Sequence, residues 1–354
     1  MAVLTVDLLS MLSKGHVFFA AVSLTVLGAS SLWLSGCGQQ LSPPPIQSQV
    51  TDWQFGRAQG QRLLTDHFAV YTTVQDALTL ELLPVFMETS YRQYISTAPA
   101  ADVSERRLPV YLFNTRAEWE RFTRSFARNQ ARRYLQIRSG GYTRQDTCVA
   151  YYIRRELTLA VLAHEGFHQY IFRHFGRAVP AWLNGGLACY CENYVWKDDQ
   201  PVFAPHANRF RINHLRQALV TGKLMPLAEI LDADAGDVVV TTQRKVQTYY
   251  AQVWSLVMFL QNGSEQRYAW GFARLMAELG TPALTASAQA QRAATGDRDI
   301  GFGQAAFRAY ITEDLNEFTT RYLAYVRELT GLNVARDRTP RPGDSGSARL
   351  AVAR

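Results

Sequence analysis

The sequence predicts an α+β domain in which a small antiparallel or mixed sheet with helices is followed by a mostly helical C-terminal part. β-Rich segments at 62–73, 107–113 and 140–153 are interspersed with segments of helical spacing. After residue 180 the spacing of apolar residues is almost entirely helical. A chain of 354 residues that is 47% hydrophobic and 19% charged can bury a sizeable core.

Three helices are expected in the first half, over 74–97, 115–128 and 154–176. Pro84 is expected to kink the first of them, and Thr115 is a suitable N-cap for the second. The third is strongly apolar, is closed by Gly176 and lies between the α+β part and the helical part. Further helices are expected at 207–221, 226–232, 247–262, 266–279, 303–311 and 313–330.

The first 37 residues have the features of an export signal. Lys14 is followed by an apolar run that ends in Leu34-Ser35-Gly36-Cys37. This ending resembles a bacterial lipoprotein signal, which implies cleavage before Cys37 and a lipid on that cysteine. A plain membrane anchor is the alternative, because about 20 apolar residues can span a bilayer. The absence of aspartate at Gly38 favours the outer membrane or periplasmic face of the cell envelope.

Composition then divides the rest of the chain into three parts. Residues 38–61 are polar and proline-rich at their start, as expected of a tether between a lipid anchor and a folded domain. The folded domain is expected over 62–331, with its α+β part ending near 176. The basic, Pro/Gly-rich residues 332–354 predict a disordered tail.

The charge argues against one class of partner, and the cysteine content leaves the disulfide pattern open. The net charge of +7 is carried by scattered arginines without a zinc-finger or RNA-binding pattern, so no nucleic-acid partner is expected. Cys189 and Cys191 point away from each other on a helix and should not pair. A disulfide from Cys148 to one of them stays open, and an odd count leaves at least one thiol free.

The sequence HEGFH at 164–168 indicates a metal site. His164 and His168 are one helical turn apart on the same face, where two imidazoles can bind one zinc ion. Glu165 is then placed to act as general base on a water at that zinc. The alternative is a hydrogen-bonded polar network, since burying two histidines and a glutamate requires partners of some kind.

A second stretch, PAWLNGGLACYCE at 180–192, makes the pattern more specific. Together with HEGFHQY it resembles the gluzincin-type, peptidase MA-like HExxH zinc metallopeptidases found in many bacterial lipoproteins. The resemblance covers roughly residues 62–265 and implies a zincin-like fold, a peptide or protein substrate and one zinc ion. It implies that His164 and His168 are ligands, that Glu165 is the base, and that Trp182, Leu183, Gly186 and Ala188 match the second motif.

One position departs from that pattern: the glutamate expected as third ligand falls on Gly185. Glycine offers no ligand, and it weakens a helix by roughly 1 kcal/mol relative to alanine. Two histidines alone should hold zinc weakly, because catalytic zinc sites normally have three protein ligands. Cys189, one turn further on the same face, is the expected replacement. Glu192, about 10 Å along the helix, is expected to be too far.

The resemblance also implies a hydroxyl group that stabilises the oxyanion of the reaction. The segment TYYAQVWSLVMFL makes Tyr250 the candidate and Tyr249 the alternative. The sequence thus predicts a membrane-anchored zinc metallopeptidase that hydrolyses peptide bonds. The alternative is a catalytically inactive relative that binds a peptide or protein partner in the old cleft.

Overall fold

In the computed structural model, the described part of the chain comprises residues 46–100, 106–138, 140–263, 266–296 and 300–332. Cys37, the expected signal and nearly all of the expected tail lie outside it. In the described part, no helix has the length and apolar character needed to cross a membrane.

The predicted α+β class is confirmed: a mixed six-stranded sheet precedes a mostly helical half. The sheet has the order β1-β2-β3-β4-β6-β5. Parallel pairing joins β3 to β4 and β4 to β6, and the other pairs are antiparallel. The strands are β1 (Gln49–Phe55), β2 (Ala58–Leu64), β3 (Phe68–Thr72), β4 (Leu108–Phe113), β5 (Gly141–Arg144) and β6 (Thr147–Tyr151).

Five helices belong to the first part of the chain and to the junction with the second. They are α1 (Ala77–Thr97), α2 (Arg116–Ala127), α3 (Ala131–Tyr134), α4 (Arg155–Phe175) and α5 (Ala181–Tyr190). A small hairpin follows, formed by β7 (Tyr194–Lys197) and β8 (Gln200–Phe203). Thr115 caps α2 as expected: its side chain accepts from the backbone N–H of Glu118, and Glu118 bonds back.

The second half contains eight further helices within the described residues. They are α6 (Arg209–Val220), α7 (Leu227–Asp232), α8 (Ala235–Val239), α9 (Gln243–Met258), α10 (Gln266–Ala277), α11 (Pro282–Thr295), α12 (Phe302–Tyr310) and α13 (Leu315–Leu329). Helix α9 continues into a π-helical turn at Phe259–Gly263. The expected helices are all present, whereas α3, α8, α11 and the β7–β8 hairpin were not expected.

Several boundaries differ from the prediction. Residues 49–61 of the expected tether instead form β1 and the start of β2. The single strand expected at 62–73 is the end of β2 followed by β3, and the one at 140–153 is the β5–β6 hairpin. Both errors have the same cause, because a tight turn between two β-rich segments leaves the alternating pattern almost uninterrupted.

The sheet is covered on both faces. Residues of β4 and β6 alternate: Leu112 and Ala150 face the core shared with α1 and α4, while Phe113 and Val149 pack with Trp119 of α2. The core beneath α4 continues into the helical half without interruption. Helix α4 therefore lies between the sheet and the helical layer, and His164, Glu165 and His168 are among its half-buried residues.

Candidate functional site

Helix α4 presents His164, Glu165 and His168 on its partly exposed face. Its opposite face is fixed by buried apolar residues, among them Leu159, Leu162 and Phe167. Gly166 allows close contact with α1, because a Cβ at this position would lie 2.5 Å from the hydroxyl of Tyr94. The charged residues of the motif are thereby held on a rigid element.

The two glycines of α5 have different surroundings. A Cβ on Gly186 would lie 2.5 Å from the backbone oxygen of Val253 in α9, so only glycine permits this helix contact. A Cβ on Gly185 would meet Tyr250 at 3.7 Å and Val253 at 3.8 Å, which are ordinary contacts. Packing therefore explains Gly186 but gives no reason for glycine at 185.

Each histidine of the motif has a partner on its Nδ1 atom. His164 Nδ1 lies 3.1 Å from Glu192 Oε2, and His168 Nδ1 lies 2.8 Å from Asn184 Oδ1. Each Nδ1 atom donates to an oxygen of its partner. The Nε2 atom of each ring takes no part in these two hydrogen bonds. Such hydrogen bonds fix the orientation and tautomer of metal-binding histidines. The two rings are nearly perpendicular, with centroids 4.9 Å apart.

The two imidazoles differ in their proton affinity. Burial, aided by His164, lowers the pKa of His168 to about 3, so its ring is neutral. Burial also acts to lower the pKa of His164, but Cys189 and Glu192 outweigh it and the pKa is raised. A metal at His164 must therefore displace a proton.

Glu192 belongs to a charged network that the sequence did not reveal. Arg211 donates from Nε and Nη2 to its two carboxylate oxygens at 2.7 and 2.8 Å, and Asn208 donates at 2.8 Å. Burial acts to raise the pKa of Glu192, but Arg211 and His164 hold it well below its usual range. The expectation that Glu192 is too far was wrong, because α5 ends at Tyr190 and the chain then turns back towards His164.

Cys189 lies on the same side of the ring as Glu192. Its Sγ atom is buried and 3.9 Å from His164 Nδ1. Among the described residues, His164, Cys189 and Glu192 offer ligand atoms within 4.8 Å of one another, so this group could hold a metal ion. His168 is outside the group. The structure thus brings Cys189 to the Nδ1 side of His164. Glu192 lies on the same side and is bonded to Arg211.

This arrangement does not form a nucleophilic triad. In a catalytic triad the histidine is the base. The thiol nucleophile bonds to one of its ring nitrogens and the orienting carboxylate bonds to the other. Here Cys189 and Glu192 both approach Nδ1 of His164. Burial also raises the pKa of the Cys189 thiol, although Arg211 and His164 oppose the shift.

Glu165 is held from the edge strand of the sheet. Thr143 of β5 places its hydroxyl 2.9 Å from Glu165 Oε2 and 2.8 Å from the Glu165 backbone oxygen. Burial raises the pKa of Glu165, although His164 and Thr143 oppose the shift. The carboxylate is thus a stronger base than one in water.

Of the two tyrosines, Tyr250 is the one beside the histidines. Its ring centroid is 5.6 Å from that of His164, and its ring lies 5.4 Å from the Arg211 guanidinium carbon. Burial raises its pKa well above the usual range, so its hydroxyl remains a donor. Tyr249 is fully buried, and no hydrogen-bond partner is found for its hydroxyl in the described part of the chain.

The three cysteines of the described region are free and buried. The disulfide left open for Cys148 is therefore not formed. Two other histidines are engaged elsewhere: His174 contacts Tyr91 at 3.4 Å, and the ring of His214 packs on Phe210.

Comparisons of the chain with protein-family models, with curated proteins and with solved structures gave no match. The likeness to gluzincin peptidases accordingly rests on the sequences HEGFH and PAWLNGGLACY alone.

Proposed function

We propose that the protein is a zinc-dependent hydrolase of peptide bonds, with His164 and His168 as metal ligands and Glu165 as general base. The observation that carries the proposal is the pair of Nδ1 hydrogen bonds, to Glu192 and Asn184. They orient both rings as in histidines that bind a metal through Nε2. The donor chemistry fits zinc at two positions, and Gly185 provides none at the third.

Zinc, when bound, supplies the Lewis acidity that polarises a peptide carbonyl and acidifies water. Glu165 receives the water proton and passes it to the leaving amine, and Thr143 holds its carboxylate in place. The Tyr250 hydroxyl donates a hydrogen bond to the carbonyl oxygen as negative charge develops there. Asn184 and Glu192 keep the two imidazoles in position.

Gly185 favours a second candidate function. Without a third protein ligand, the same cleft can bind a peptide or protein partner without hydrolysing it. The intact Glu165, with its Thr143 contact, is the observation that favours hydrolysis. In both cases the N-terminal signal supports attachment to the bacterial envelope by a lipid on Cys37. Cys37→Ser should prevent this modification, and the mass of the mature chain should then lack the lipid.

The test of the proposed function is metal content together with hydrolysis. The full chain, purified without chelator or histidine tag, should contain zinc by elemental mass spectrometry after incubation with the metal and gel filtration. Glu165→Gln should keep the zinc and lower peptide hydrolysis by about a hundredfold or more. His168→Gln should lose both, whereas His174→Gln, on the same helix, should lose neither. No zinc in the parent protein would contradict the proposal, and zinc without hydrolysis would favour the binding function.

A further inference from the structure

Three side chains that commonly bind metals meet on the Nδ1 side of the His164 ring, away from the Nε2 atom that the proposed function assigns to zinc. Nδ1 lies 3.1 Å from Glu192 Oε2 and 3.9 Å from Cys189 Sγ. The ligand atoms of the three residues all lie within 4.8 Å of one another, and the described part of the chain holds no second group of this kind. The proposed function does not use this position.

The separations are close to those of ligands that share one ion. Bonds of about 2.0–2.3 Å from a tetrahedral metal to nitrogen, oxygen and sulfur place the ligand atoms roughly 3.4–3.6 Å apart. The Glu192 contact is slightly shorter than this, and the Cys189 contact is slightly longer. Side-chain movements of about one ångström therefore close the group around an ion. The side chains of His164 and Glu192 are each 12% exposed, so the group can be reached from solvent.

The surroundings of Glu192 determine which cations this group can hold. Its Oε1 atom accepts from Arg211 Nε and from Asn208, and its Oε2 atom accepts from Arg211 Nη2. Because the Arg211 charge already compensates the carboxylate, Glu192 alone attracts Mg²⁺ or Ca²⁺ only weakly. Binding must come mainly from the Cys189 sulfur, which a metal holds as thiolate. The group therefore favours soft cations that prefer thiolate and imidazole ligands.

The two nitrogens of His164 cannot both bind a metal while the ring is neutral, because one of them carries the ring proton. Zinc on Nε2 requires the proton on Nδ1, where Glu192 accepts it. A cation on Nδ1 requires the proton on Nε2. Filling one metal position on His164 thus excludes the other.

We propose that His164, Cys189 and Glu192 form a regulatory site for a thiophilic cation such as Cd²⁺, and that the cation bound there displaces zinc and stops hydrolysis. The thiol proton of Cys189 leaves as the sulfur–metal bond forms. The site itself follows from the distances among the three residues. The displacement rests on the proposed function, because it requires zinc on Nε2 of His164.

Cadmium is the probe, because it is a soft cation and its bond to a thiolate adds an ultraviolet absorption band that a free thiol lacks. The metal-free full chain carries Cys37→Ser, so that its remaining thiols are the three buried ones. Titration should produce the band at about one cadmium ion per chain and raise the thermal midpoint. Magnesium at the same concentration should do neither. A folded chain that shows no band with cadmium would overturn the proposal.

Two cysteine substitutions provide a matched pair. Cys189→Ala should abolish the absorption band. Cys191→Ala should keep the band and the cadmium affinity, because Cys191 is equally buried but contacts Thr97. The opposite pattern would place the thiolate elsewhere and overturn the site. If circular dichroism shows that Cys189→Ala does not fold, Glu192→Gln takes its place: it should keep the band and weaken cadmium binding, and unchanged affinity would overturn the three-residue site.

Elemental mass spectrometry after gel filtration measures the displacement on the zinc-loaded chain. As the cadmium band grows, zinc should be lost one for one, and the total should stay at about one metal ion per chain. Peptide hydrolysis should fall in proportion to the zinc lost. Zinc retained alongside the full cadmium band would overturn the displacement. If the chain binds no zinc at all, the proposed function fails, whereas the cadmium band should still form, so the two failures are distinguishable.

Discussion

Asn184 Oδ1 accepts from His168 Nδ1 at 2.8 Å, although the next residue in the chain is the glycine that offers no metal ligand. Helix α5 therefore orients the ring of His168 through Asn184, while Gly185 adds no side chain. Under the proposed function, orientation and ligation would involve different residues of the same helical turn. Separate substitutions can test the two contributions.

Alanine at the two adjacent glycines should change stability in opposite directions. Gly185→Ala adds a methyl group with ordinary contacts and removes a helix-weakening residue, so the free energy of unfolding should rise by up to about 1 kcal/mol. Gly186→Ala places a Cβ 2.5 Å from Val253 O and should lower it by about 1–3 kcal/mol. Denaturant unfolding measures both, and a loss of equal size in the two variants would contradict the helix packing described.

Cys189 and His168 distinguish two metal positions around His164. If the metal is bound through Nε2 of both histidines, Cys189→Ala should keep its zinc and His168→Gln should lose it. If the group of His164, Cys189 and Glu192 holds the metal, the outcomes are reversed. Elemental mass spectrometry after gel filtration gives the answer. Cys191→Ala is the matched control, because Cys191 is equally buried but has its contact with Thr97.

Removing Arg211 should destabilise the fold even without metal. Arg211→Met leaves the Glu192 carboxylate half-buried without its bidentate partner, which should lower the free energy of unfolding by about 3 kcal/mol. Adding Glu192→Gln to this variant should recover part of the loss, because the unpaired charge is then gone. Arg209→Met, an exposed change on the same helix, should stay within about 0.5 kcal/mol of the parent. If Arg211→Met leaves the free energy of unfolding unchanged, the ion pair with Glu192 does not stabilise the fold.

The features predicted from sequence were those determined by local pattern. The α+β class, α4 and the Thr115 cap follow from apolar spacing and from start and stop signals near in sequence. Strand β1 was missed because most of its residues are exposed, so it lacks an apolar face. Helix α11 was missed because only Leu284 and Ala288 are buried along it.

The sequence predicted His164, Glu165 and His168 and, through the resemblance, Cys189 and Tyr250, which lie beside His164. Asn184, Thr143 and Arg211 reach the site from other elements, and no local pattern distinguishes them from surface polar residues. Glu192 was misjudged because the distance was measured along a continued helix, whereas the helix stops two residues earlier. The prediction of the site was therefore limited by errors in where helices end. The fold class was predicted correctly and did not limit it.

Zinc affinity should rise with pH, and the protonation of His164 alone should set the slope. In the absence of metal the pKa of His164 is raised, because Cys189 and Glu192 outweigh burial, while burial holds the pKa of His168 at about 3. Between about pH 5 and 7, zinc must displace a proton from His164 but none from His168, so affinity should fall about tenfold per unit of acidification. Two histidines with ordinary pKa values would release up to two protons at the acidic end of this range.

Chelator competition at several pH values gives that slope, and calorimetry in buffers of different ionisation enthalpy counts the protons released. The double variant Glu192→Gln with Arg211→Met removes the carboxylate that holds the His164 proton, so its slope should flatten towards the upper end of the range. A slope near two in the parent protein would mean that His168 is also protonated. Burial would then not keep the His168 ring neutral, although its Nδ1 hydrogen bond to Asn184 can form in either protonation state.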